Sequence, residues 1–140
     1  KTDAGSGAIE QLILADFCPP LFDQHVEALN VRLKAKCDVI CEALDRNFGT
    51  IASYRRPKGG IFIWVTLDQS IDINILTTEA AKEGVAINAG PEWSIGDEAG
   101  YQMRLCFGYP DEAVIKEGVE KLAEICQRHF GLPKQISNQA

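Results

Sequence analysis

Positive charge is scarce in this sequence. Fourteen lysines and arginines stand against 20 aspartates and glutamates, a formal net charge of −6. Phosphate backbones are gripped by basic surfaces, so no nucleic-acid partner is expected. Nowhere does an apolar run approach the ~18 residues that a membrane span needs, and the start carries no signal-peptide pattern. No membrane partner is expected either. Gly-x-Ser-x-Gly, Walker and dinucleotide fingerprints are all missing. Histidine is limited to His25 and His129. Both fall in helix-like stretches with no nucleophile near in sequence, so a solvated or core position suits each better than catalysis. The only methionine is Met103 and the first residue is Lys1, so the chain is expected to be a piece of something longer.

Cysteine is present but not organised as a disulfide framework. Cys18, Cys37, Cys41, Cys106 and Cys126 are an odd number, spread through apolar segments. Cys37 and Cys41, one helical turn apart, are either a metal pair or two small core residues. No histidine or carboxylate cluster completes a metal site beside them, which favours the core. Free thiols imply a reducing, cytoplasmic compartment.

What remains is an ordinary globular composition, 46% apolar and 24% charged over 140 residues, enough for one domain with a core. Ile9, Leu12, Ile13 and Phe17 recur at helical spacing, and Pro19-Pro20 should end that helix. Val26, Leu29, Leu33, Cys37, Ile40, Leu44 and Phe48 then form one apolar stripe, closed by Gly49. A helix from Phe22 to Phe48 would be about 40 Å long. Ile61 to Leu67 is β-branched and aromatic, and its apolar character on both sides suggests a central strand covered on both faces. Asp72 can cap a helix that turns Ile75, Leu76 and Ala80 inward and stops at Gly84. Val85 to Ile87 reads as a short strand, and Asn88 to Pro91 as a turn. Gln102 to Phe107 alternates, with Met103, Leu105 and Phe107 on one face and Gln102, Arg104 and Cys106 on the other. After Pro110-Asp111, a last helix carries Ile115, Val119, Leu122, Cys126 and Phe130 to Gly131. These elements predict an α+β two-layer sandwich, a small, mostly antiparallel sheet with helices on one face. Residues 1–21 would belong to a preceding domain and its linker, residues 22–132 to the sandwich, and residues 133–140 to a loose tail.

Arg104 is the residue with most to explain. It interrupts an apolar strand, and a buried guanidinium without a partner is costly. Its planar fork matches a carboxylate in two-point fashion. Either it faces water on an open side of the sheet, or it binds a carboxylate; pattern alone leaves both standing. Gly59-Gly60 and the stretch Asn88 to Trp93 are further candidates, as a turn or a close backbone approach and as a polar connection with an aromatic plug.

Four segments, in this order, resemble the fold type I, class I/II pyridoxal-phosphate-dependent aminotransferases. Pro57-Lys-Gly-Gly-Ile-Phe-Ile-Trp64 is similar to their P-x-G-G-x-F-x-W segment, and Gly84-Val-Ala-Ile-Asn-Ala-Gly-Pro-Glu-Trp93 to their G-V-x-x-x-P-G-x-x-F stretch. Met103-Arg-Leu-Cys-Phe107 resembles the R-L-x-F strand, and Ile115 to Ala123 the I-x-E-G-V-x-x-L-A helix. The branch with 2-aminoadipate and aromatic aminotransferases, and with aminotransferase-like regulators, is the most similar. Ala89 stands where the family has proline, and Trp93 where it has phenylalanine.

The resemblance implies that the chain is the C-terminal small domain of such an enzyme. Arg104 would grip the α-carboxylate of the amino acid or 2-oxo acid, and Gly59 and Gly60 would let the backbone approach it. Asn88 would contact substrate, with Gly90 and Trp93 at the pocket edge. Pyridoxal 5'-phosphate would be held by a large domain outside this chain. None of Lys34, Lys36, Lys58 and Lys82 lies in the context of the family's cofactor-binding lysine, so the fragment alone should be inactive. The parent would be a homodimer, with Thr2 and Ser6 near the neighbouring subunit's site. Two other functions stay open: the sensing part of an aminotransferase-like transcription regulator, and an unrelated small α+β binding module.

Overall fold

A computed structural model describes residues 7–94 and 97–133. Thr2, Ser6 and most of the expected tail lie outside the described residues. The first element is a single helix, α1, spanning Ala8–Phe48 with Pro19 and Pro20 inside it. The expected break at the two prolines is therefore not made. Each proline withholds one N–H, from the carbonyls of Ala15 and Asp16. Both of those residues are exposed, so water can take the carbonyls and the helix can continue.

By its contacts the chain divides into two units, Lys1–Arg32 and Leu33–Ala140. In the first, Ile9, Leu12, Ile13, Leu14 and Phe22 are exposed, and Phe17 meets His25 edge-on with ring centroids 5.5 Å apart. The apolar stripe of α1 is thus buried only from Cys37 onward, through Ile40, Cys41, Leu44 and Phe48. Periodicity identifies a stripe but cannot say what covers it.

The second unit holds the rest of the fold. Strand β1 (Ala52–Tyr54) precedes β2 (Phe62–Leu67), α2 (Ile73–Lys82), β3 (Asn88–Ala89), β4 (Gln102–Cys106) and α3 (Glu112–Phe130). The strands form one sheet in the order β1-β2-β4-β3, antiparallel throughout. Ile63, Val65 and Leu67 of β2 and Met103 and Leu105 of β4 share one core with residues of all three helices. The expected α+β sandwich with helices on one face is what forms.

Three local expectations need correction. Strand β2 is central, but among the described residues only one of its faces is fully covered: Phe62 is exposed, and Trp64 and Thr66 are half-buried. Val85 to Ile87 is not a strand. The ladder forms at Asn88 and Ala89 instead, which pair with Arg104 and Met103. Pairing partners, not local composition, choose which residues of an apolar stretch join an edge. Ile75 is 47% exposed, and Ile73 takes its place in the core beside Leu76 and Ala80. Strand β1 has no counterpart among the expected elements. Three residues, Ala-Ser-Tyr, are too few for a period to show.

Caps behave as their residue types require. Asp72 accepts from the backbone N–H groups of Asn74 (2.8 Å) and Ile75 (3.3 Å) at the start of α2, and Gly131 ends α3 in the left-handed region at φ 72°. Replacing Asp72 with alanine leaves two N–H groups without their acceptor. It should destabilise the fold by about 1 kcal/mol, read as a lower urea midpoint at unchanged slope. An unchanged midpoint would show that water caps α2 equally well.

Candidate functional site

The open face of the sheet carries the polar candidates. Strand alternation places Phe62, Trp64 and Thr66 of β2 beside Gln102, Arg104 and Cys106 of β4, opposite to the helices. Across the ladder, Trp64 and Asn88 both register with Arg104, one from each side. A single row therefore runs Trp64, Arg104, Asn88 over β2, β4 and β3.

Arg104 is held from three directions. Its guanidinium carbon lies 4.1 Å from the centroid of the Phe62 ring and 3.6 Å from that of the Trp93 ring. Each contact attracts the cation to the negative face of an aromatic ring, by about 0.5–2 kcal/mol. Nη2 donates to Asn88 Oδ1 at 3.2 Å. Nε is buried, and its N–H has no acceptor among the described residues. No ion pair reaches this arginine within the described residues, although Arg56 pairs with Asp38, and Arg128 with Glu83 at 2.7 Å. A half-buried cation with an unsatisfied donor is an arrangement that an incoming anion completes.

The expected site residues separate into two groups. Arg104, Asn88 and Trp93 come together. Gly90 stands at the foot of this group for a steric reason. A Cβ there would lie 2.4 Å from the Ala99 carbonyl oxygen and 2.8 Å from that of Gln102. Only glycine lets the chain turn from β3 into the short helical turn Gly90–Glu92 and carry Trp93 back over Arg104. Gly59 and Gly60 do not meet Arg104 in any contact of the described structure, and a Cβ on either would find open space. Gly60 adopts φ 77°, so its role visible here is the turn that delivers Phe62 to β2. Phe62 itself was not among the expected site residues. Its signal was its place on the same strand face as Trp64, facing the row that holds Arg104.

Several of the described lysines have partners elsewhere. Lys34 is paired with Asp38 and Lys82 with Glu79, and Lys36 donates to the carbonyls of Gly108 and Tyr109. No lysine contacts Arg104, Asn88 or Trp93 in the described structure. Among the described residues, the Arg104 guanidinium, with its unpartnered Nε, fits a carboxylate. The displaced titrations also lie away from these contacts. Burial pushes the Cys126 thiol up to about 11, and the hydrogen bond from Lys34, with help from Arg56, holds the Asp38 carboxyl low.

Comparison with proteins of known sequence and structure is consistent with this geometry. No family model matches the chain. LysN, an α-aminoadipate aminotransferase from Thermus thermophilus solved with N-(5'-phosphopyridoxyl)-L-leucine, superposes with a TM-score of 0.83 and 26% identity, over 94% of this chain and 34% of that one. Aromatic-amino-acid aminotransferase 1 of Thermococcus litoralis is 31% identical over 73% of the chain and 24% of its own length. The chain is a small domain of the fold type I aminotransferase family. An HTH-type transcriptional regulator of Bacillus subtilis, YdfD, is also similar, 31% identical over 87% of the chain and 25% of the regulator. This small domain spans about a quarter to a third of the length of the relatives it matches. An unrelated α+β module is thereby set aside. No helix among the described residues is long and apolar enough to cross a membrane.

Proposed function

We propose that the chain is the substrate-carboxylate half of an amino-acid aminotransferase, with Arg104 as the clamp. The observation that carries this is the half-buried guanidinium, braced by Phe62 and Trp93, with one N–H unsatisfied and no carboxylate of its own among the described residues. The α-carboxylate is the one anionic group that every amino acid shares with its 2-oxo acid. Both half-reactions of a transamination therefore present it to the same arginine. Fixing that end orients the bond at the α-carbon that must break, and an oriented bond reacts faster because the ordering entropy is already spent. The rings exclude water from the faces of the guanidinium, which strengthens its attraction for an anion.

Pyridoxal 5'-phosphate, held by residues outside this chain, would supply the electron sink. The exposed Ile9, Leu12, Ile13 and Phe22 of α1 support contact with the rest of the parent, a homodimer in this proposal. Five free thiols suit a reducing, cytoplasmic compartment. The isolated chain should form no saturable one-to-one covalent adduct with pyridoxal phosphate at a single lysine. Titration followed by absorbance and dialysis checks this, and a stable stoichiometric adduct would contradict the division of labour.

A second reading has a specific observation behind it, the similarity to YdfD. In that case the same clamp would sense an amino acid for a transcription regulator. The coding sequence upstream of Lys1 separates the two. A winged-helix segment there would favour sensing, and a cofactor domain without one would favour the enzyme. Steady-state transamination by the full-length protein tests the proposal directly.

A further inference from the structure

Among the described residues, the side chain that accepts a hydrogen bond from the Arg104 guanidinium is an amide, that of Asn88, and this choice has consequences for the site. Arginine has donors only, so Asn88 must face it through Oδ1, with the amide nitrogen turned away. The acceptor that holds Nη2 at 3.2 Å is therefore neutral. It orients the guanidinium without cancelling its charge. Asn88 is also fixed in place. It lies on β3 in direct register with Arg104, two residues before a glycine wedged against two carbonyl oxygens, so its backbone cannot drift from the arginine.

We infer that Asn88 is a positioning residue for Arg104, and that its neutrality keeps the guanidinium available to a carboxylate ligand. The inference rests on the clamp proposed above. An aspartate at this position would put a carboxylate oxygen where Oδ1 now lies. It would satisfy the arginine from within the protein and compete with any ligand carboxylate. A leucine would match the shape of asparagine but accept no hydrogen bond, leaving the guanidinium free to rotate between the two rings.

The test uses the full-length protein with Asn88→Asp, Asn88→Leu and Arg104→Lys made separately. The probe is whichever 2-oxo acid, from a panel derived from the standard amino acids, binds the unaltered protein most tightly by calorimetry. Asn88→Asp should weaken that binding about 30-fold or more, with a melting temperature at or above that of the unaltered protein because an ion pair has been added. Asn88→Leu should weaken it about 2- to 12-fold, the value of one hydrogen bond. In turnover, both should raise KM for amino acid and 2-oxo acid together and change kcat less. Binding by Asn88→Asp close to that of the unaltered protein overturns the inference. So does a parallel fall of affinity and melting temperature in both Asn88 variants, which marks a structural role. If Arg104→Lys weakens binding while Asn88→Asp does not, only the inference about Asn88 fails. If Arg104→Lys binds normally, or no 2-oxo acid binds at all, the clamp itself is wrong.

Discussion

Arg104→Lys in the full-length protein should lower kcat/KM for the amino acid by about 30- to 5,000-fold, or about 2–5 kcal/mol of transition-state stabilisation. Lysine keeps the charge but presents a point donor in place of a planar fork, and it reaches less far. It also loses the stacking surface that Phe62 and Trp93 now contact at 4.1 and 3.6 Å. Arg104→Ala should cost at least as much. Affinity for pyridoxal phosphate should hardly move, because Arg104 is not proposed to touch it. Stability of Arg104→Lys should fall only slightly, by about 1–2 kcal/mol, since lysine keeps a cation near both rings and the neutral hydrogen bond to Asn88 is modest. A structural arginine would behave in the opposite way, with normal rates and a lower melting temperature. Rates and melting measured on the same preparation decide between them, and kcat/KM equal to that of the unaltered enzyme would remove Arg104 from the site.

Gly90→Ala should be the most damaging small substitution near the site. The new methyl would be driven to 2.4 Å from one backbone carbonyl oxygen and 2.8 Å from another, and backbone cannot swing aside as a side chain can. Relief requires moving β3 or the segment from Ala99 to Gln102, at a cost of about 3 kcal/mol. Either movement disturbs the Asn88 contact and the seat of Trp93. Substrate affinity should therefore fall along with the melting temperature, in contrast to Arg104→Lys. Retention of both would mean that the turn at Gly90 is looser than its contacts imply.

Much of the fold was legible because its signals are local. The stripe Cys37 to Phe48, the alternation of Met103, Leu105 and Phe107, and the Asp72 cap each follow from residue type and period within one element. The elements that were missed or shifted depend on partners elsewhere in the chain. Three residues of β1 become a strand because Ala52, Ser53 and Tyr54 find Leu67, Thr66 and Val65. The edge strand begins at Asn88 and not at Val85 because β4 offers Arg104 and Met103 there. Continuation of α1 through Pro19 and Pro20 depends on solvent access to the carbonyls one turn back, which no propensity scale contains.

The candidate site shows the same division. The sequence by itself determined that a strand would carry one arginine on the face opposite its core residues, because side chains alternate along any strand. It also determined that glycine must follow Asn88-Ala89, if a tight turn was to form there. Tertiary structure alone decided what surrounds that arginine. Phe62 lies 42 residues before Arg104 and Trp93 lies 11 before it, and only the order β2-β4-β3 brings both rings and the Asn88 amide onto one guanidinium. Spacing within a strand is set by backbone geometry, whereas contact between strands is set by which pairing buries the common core. The second cannot be read from a period, and it is the second that makes Arg104 a candidate site.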